Sequence, residues 1–126
     1  ANFEQVCRYA DVISFHVPLT ALTKYMANED FFSALQQRPF IINTSRGGVI
    51  ETGSLIKAIG QDLIRGAALD VLENEKIGAL NSQEQANLDF LCAQENVLIT
   101  PHIAGYSHEA YYKMSRILLQ KLDIDP

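Results

Sequence analysis

Phe40-Ile41-Ile42-Asn43-Thr44, running from Pro39 into Ser45-Arg46-Gly47-Gly48, decides the fold of this 126-residue chain. A continuous apolar, β-branched-rich run that ends on glycines reads as a strand buried on both faces, because a half-exposed strand would alternate polar and apolar residues. Similar runs occur at Val12-Ile13-Ser14-Phe15-His16-Val17, Ala67-Ala68-Leu69-Asp70-Val71 and Val97-Leu98-Ile99-Thr100. Helical patterns separate them. Phe3 to Tyr9 precedes the first run. Asn28 can cap a helix with Glu29 and Asp30 beside the positive end of its dipole, Phe31 and Leu35 inward, and Pro39 as its stop. Thr52 or Gly53 opens another, with Leu55, Ile56 and Ile59 on one side. Ser82 and Gln85 have capping-box spacing ahead of Leu88 and Leu91. Ser107 can cap a last helix whose Tyr111, Met114, Leu118 and Leu122 form one apolar stripe, expected to be buried.

Strand alternating with helix predicts an α/β fold of three layers (αβα), a parallel sheet covered on both faces. Right-handed crossovers bring every strand's carboxyl end to one edge of the sheet. His16, Thr44-Ser45-Arg46, Asp70 and Thr100-Pro101-His102 are therefore expected to line one crevice.

Composition narrows the function classes. The chain is 48% hydrophobic and carries a formal charge of −5, with no basic face to follow a phosphate backbone, so nucleic acid is not an expected partner. Its longest apolar runs fall far short of the roughly 20 residues that cross a bilayer, and its start lacks a basic-then-apolar signal pattern. A cytoplasmic protein without membrane contact is expected. Cys7 and Cys92 lie far apart with no CxxC pair, which reads as buried free thiols. No metal-ligand spacing joins His16, His102 and His108, so no metal is expected. Gly48 and Gly53 begin a phosphate-loop spacing that Ser54 and Leu55 do not complete, and no Ser sits in a G-x-S-x-G elbow.

Three places can carry chemistry. Arg46, between Ser45 and a glycine pair that permits tight turns and close approach, is either a surface cation or a bidentate grip for a carboxylate. His102 is held on the turn after Pro101, and a carboxylate from Glu73 or Glu75 beside it would favour its protonated ring and tune it as a proton donor. The stretch Glu73-Asn74-Glu75-Lys76 reads equally as a solvated loop. Asp70, acidic within an apolar run, needs a partner: it caps a helix or contacts a ligand.

The ordered blocks Ala10-Asp11-Val12-Ile13-Ser14-Phe15-His16-Val17-Pro18-Leu19-Thr20, Ile42-Asn43-Thr44-Ser45-Arg46-Gly47-Gly48-Val49-Ile50-Glu51, Gly66-Ala67-Ala68-Leu69-Asp70-Val71 and Thr100-Pro101-His102-Ile103-Ala104-Gly105 closely resemble the D-isomer-specific 2-hydroxyacid dehydrogenases. That family contains D-lactate, glycerate, formate and D-3-phosphoglycerate dehydrogenases. The resemblance implies the second half of a Rossmann-like NAD-binding domain, spanning residues 1–126. It implies that Arg46 binds the substrate carboxylate and polarises its carbonyl, that His102 exchanges the proton, and that Glu75, rather than Glu73, orients His102. It further implies NAD contacts at Val17, Pro18, Thr44, Ser45, Arg46, Asp70, His102, Ile103, Ala104 and Gly105. Leu72 stands where the family often has an aromatic residue, and Lys76 where it often has Pro.

The implied reaction passes a hydride between nicotinamide and C2 of a D-2-hydroxy or 2-keto acid, such as D-lactate or D-3-phosphoglycerate, in a homodimer. The alternative is a non-catalytic, NAD-sensing binding platform of the corepressor type. No GxGxxG turn can be read in these residues, and the family's substrate domain has no counterpart in them, so the chain by itself is expected to be inactive and to bind NAD weakly or not at all. Self-association through an unpaired strand edge or uncovered helix faces is a third expectation.

Overall fold

The computed structural model describes residues 2–124. Helices and strands alternate as α1 (Phe3–Tyr9), β1 (Val12–Phe15), α2 (Glu29–Ser33), β2 (Phe40–Asn43), α3 (Thr52–Gly60), β3 (Gly66–Leu69), α4 (Ser82–Cys92), β4 (Val97–Ile99) and α5 (His108–Lys121). The strands form one parallel sheet in the order β1-β2-β3-β4. The α/β, Rossmann-like sheet expected from the sequence is therefore present, with every strand end pointing to one edge.

Register divides the sheet into two unlike faces. Ile13, Ile41, Ala67 and Val97 align across it, as do Phe15, Asn43, Leu69 and Ile99. On this face the sheet packs in one core with Cys7 of α1, Phe31 and Phe32 of α2, Leu55 and Ala58 of α3, and Leu91 of α4. The intervening residues form the other face, where Val12, Phe40 and Leu98 are 54%, 45% and 61% exposed. The strands are thus covered on one side only, against the expectation of burial on both. Topology is the reason. Consecutive parallel strands joined by crossovers of one hand place all their helices on the same face, so a second helical layer has to come from strands wound in the opposite direction. Nor does α5 supply it: Tyr111, Met114, Leu118 and Leu122 are all exposed, and the helix has no buried side chain.

Local signals set the helix ends. Asn2 and Gln5 cap α1 reciprocally, Asn28 caps α2 through the Phe31 amide, and Ser107 caps α5 through that of Ala110. Helix α4 differs from the expected Ser82–Gln85 box. Asn81 accepts from the Gln83 and Glu84 amides while the Glu84 carboxylate accepts from the Asn81 amide. A carboxylate in the first turn also meets the helix dipole, an advantage that Gln85 lacks. Helix α2 stops at Ser33, well before Pro39, because the Gln36 amide donates to the Cys7 carbonyl of α1 instead of continuing the helix. Cys7 is buried as expected, but Cys92 is exposed.

The two faces make separable predictions. Ile41→Ala, at a fully buried position, is expected to cost this chain about 2–4 kcal/mol, whereas Leu98→Ala should stay within about 0.5 kcal/mol. Urea unfolding measures both, and equal losses would mean that the open face is covered in solution.

Candidate active site

The site begins with a buried acid at the end of β3. Asp70 is 5% exposed, and such a carboxylate is costly unless its oxygens are satisfied. Oδ1 accepts from the Thr100 hydroxyl at 2.5 Å and the Ile103 amide at 2.8 Å, and Oδ2 accepts from the Ala104 amide at 2.9 Å. Asp70 thus caps no helix, the first of the two roles the sequence offered. It ties β3 to the turn after β4. Desolvation pushes its carboxyl upward, but the Thr100 hydroxyl, the Ala104 and Ile103 amides and nearby His102 outweigh this and hold it below the ordinary aspartate range.

Inside the tied turn lies His102, with φ of 55°, a left-handed backbone that a non-glycine residue adopts at a cost of about 1 kcal/mol or more. The charge-assisted bonds to Asp70 on either side of it offset that cost. Its Nδ1 stands 3.1 Å from Glu75 Oε2, so an ionised Glu75 accepts from Nδ1–H, and among the described residues Nε2 has no hydrogen-bond partner. Both side chains are about half exposed, and ion pairs in such surroundings contribute about 0–1 kcal/mol to stability. The pair orients the ring more than it stabilises the fold.

Glu75 is carried on the loop that follows Asp70. The Leu72–Glu73 peptide of this loop lies against Gly47, where an added Cβ would sit 1.8 Å from the Leu72 carbonyl oxygen. The close approach that Gly47 permits is therefore made by the chain itself. Glu73 Oε2 accepts from the Thr52 amide at 2.7 Å.

Arg46 stands at the end of β2 in a cleft of about 480 Å³ lined also by His16, Val17, Pro18, Leu19, Thr44 and Ser45. Its Nη1 donates to the Ser45 carbonyl at 2.6 Å. Asp70, Glu75, Thr100 and His102 line a second hollow of about 500 Å³, together with Cys92. The sheet edge thus carries two neighbouring hollows where a single crevice was expected. Among the described residues no hydrogen bond or ion pair joins Arg46 to Glu75 or His102. Ile103, Ala104 and Gly105 line neither hollow.

Sequence reasoning missed Asn43. Its buried side chain accepts from the Ser45 amide and hydroxyl at 3.0 and 2.8 Å and donates to the Arg46 carbonyl at 3.0 Å, shaping the turn that presents Arg46. The signal was there: an amide ending an apolar strand poses the same satisfaction problem as Asp70.

Residues 1–104 match the family described as D-isomer specific 2-hydroxyacid dehydrogenase, NAD binding domain. The chain belongs to this family. It is 40% identical over 126 residues to erythronate-4-phosphate dehydrogenase of Bacteroides thetaiotaomicron, which covers 96% of this chain and 33% of that protein. It is 37% identical to glyoxylate reductase of Thermococcus litoralis, covering 96% of this chain and 34% of the relative. The crystal structure of D-lactate dehydrogenase from Aquifex aeolicus, complexed with NAD and lactic acid, superposes with a TM-score of 0.83 at 30% identity, covering 98% of this chain and 39% of that one. The chain spans about a third of the length of these curated relatives.

Within this 2-hydroxyacid dehydrogenase domain the Asp70 bonds predict a pH signature. Because the folded pKa lies below the unfolded one, the stability that Asp70 contributes is fully present above about pH 3.9 and is lost as pH falls through the folded value. Asp70→Asn is expected to cost about 2 kcal/mol at neutral pH, and the gap to the parent protein should shrink as acid protonates the parent carboxyl. Urea unfolding across pH reads this directly, and a gap that stays constant would contradict it.

Proposed function

We propose that this chain is the second half of the NAD-binding domain of a longer oxidoreductase, which moves a hydride between nicotinamide and C2 of a D-2-hydroxy acid or its 2-keto partner. The observation that carries the reading is the Glu75–His102 pair, 3.1 Å apart at the carboxyl edge of a parallel sheet, where α/β folds bind their ligands. The longer protein is supported by proportion, since the curated relatives are about three times its length, and by the bare apolar sheet face, which calls for cover.

The cleft beyond β1 and β2 suits a dinucleotide. Val17 and Pro18 give it apolar wall, Thr44 and Ser45 offer polar groups, and Arg46 brings a cation. These five would hold NAD on one side, and Asp70, His102, Ile103, Ala104 and Gly105 on the other. When bound, NAD supplies the carbon that gives or takes the hydride. The residues of the chain do the rest. Arg46 binds the substrate carboxylate and stabilises negative charge as the carbonyl oxygen becomes an alkoxide. His102 gives that oxygen a proton from Nε2 during reduction and recovers it during oxidation. Glu75 fixes the ring through Nδ1 and balances the charge of its protonated form.

The substrate class follows from the same groups: a small acid with a 2-hydroxy or 2-keto group, D-lactate and D-3-phosphoglycerate among them. A homodimer fits the exposed apolar side chains of α5, and a cytoplasmic setting fits two free thiols.

Assaying the complete protein with NADH against pyruvate, glyoxylate, hydroxypyruvate, 3-phosphohydroxypyruvate, and with NAD against 4-phosphoerythronate tests the reading. At least one should turn over, and His102→Gln should lower kcat about 100- to 10,000-fold. Turnover of none would remove the proposal, and NADH binding retained without turnover would favour the platform alternative.

A further inference from the structure

Glu75 makes one side-chain hydrogen bond among the described residues, to His102, so its placement depends on how the backbone of its loop is held. The loop is fastened immediately before it. Glu73 reaches across 21 positions of sequence to accept the Thr52 amide at 2.7 Å. Thr52 is the first residue of α3, and the N-cap residue of that helix, Glu51, makes no capping bond of its own. The Glu51 carboxylate is engaged instead by the Ser54 hydroxyl. An orphan amide and the positive end of a helix dipole are thus met by a carboxylate from another segment. Glu73 also holds the phenol of Tyr25, in the turn between β1 and α2, above the ordinary tyrosine range. Asn74 fastens the next position: its Nδ2 donates to Glu84 Oε1 at 3.1 Å, and its Oδ1 accepts the Lys76 amide at 3.0 Å.

Resting on the function proposed above, we propose that Glu73 is a positioning residue: by capping α3 from outside that helix it holds the loop so that Glu75 faces His102. Glu73 touches neither ring nor substrate in this account and acts through Glu75 alone. Two neighbouring acids therefore have separate tasks, one fastening the loop to the body of the domain and the other meeting the imidazole.

A double-mutant cycle in the complete protein tests this. Glu73→Ala is expected to lower kcat about tenfold with KM little changed, and to lower it by less than about twofold in a Glu75→Gln background. Glu73→Gln, which keeps an oxygen to accept the Thr52 amide, should recover most of the loss. Thr52→Pro removes that donor at a helix position where proline is tolerated, and it should reproduce the effect of Glu73→Ala. Nitrogen-15 NMR of the imidazoles gives a readout that needs no turnover: Glu73→Ala and Thr52→Pro should shift the His102 Nδ1 signal in the direction that Glu75→Gln shifts it. Effects that add in full to Glu75→Gln, or an unmoved His102 signal in well-folded Glu73→Ala, would overturn the proposal. If the parent protein reduces no 2-keto acid, the functional reading fails while the imidazole signal still decides whether Glu73 positions Glu75.

Discussion

A single carboxylate sets the geometry on which the rest of this structure depends. Asp70 sits where burial penalises charge, and the folded chain answers by directing a hydroxyl and two amides of one distant turn onto its oxygens. Those bonds close the sheet edge between β3 and β4. They also hold His102 in a backbone conformation that it would not favour alone. The half-exposed ion pair with Glu75 is too weak to do this, so the order of cause runs from Asp70 to the turn, from the turn to the imidazole, and then to its carboxylate partner.

A similar device operates one strand away. Asn43 ends β2 as Asp70 ends the neighbouring β3, and its buried amide shapes the Ser45–Arg46 turn. Both edge positions convert the need to satisfy a buried polar group into the placement of an exposed, chemically capable one. Gly47 links the Ser45–Arg46 turn to the loop after β3, since only a residue without Cβ lets the Leu72–Glu73 peptide lie so close to β2's end. Guanidinium and imidazole are set at the ends of β2 and β4, on either side of β3 in the same sheet, each within its own hollow.

Much of this was legible in the residues. The strand runs, the α1 span and the caps at Asn28 and Ser107 depend on local chemistry, which sequence carries directly. The Glu75–His102 pairing followed from motif resemblance, because composition alone left Glu73 and Glu75 equivalent. What was missed depends on long-range geometry. An apolar run such as Phe40–Thr44 states that a strand can be buried on both faces, but not whether the same chain provides both covers. Periodicity in α5 marks an apolar stripe without naming what it packs against. At α4, Asn81 and Ser82 are adjacent competent caps, and the choice fell to the pair with a carboxylate in the first turn. The anchoring of Asp70 by amides more than thirty positions away leaves no trace in its neighbours.

Hydrogen exchange at two backbone amides tests the central claim most directly. If Asp70 holds the turn, the Ile103 and Ala104 amides exchange far more slowly than their exposed surroundings imply, and Asp70→Asn speeds both while leaving the β2 amides slow. Rapid exchange at both positions in the parent protein would contradict the account.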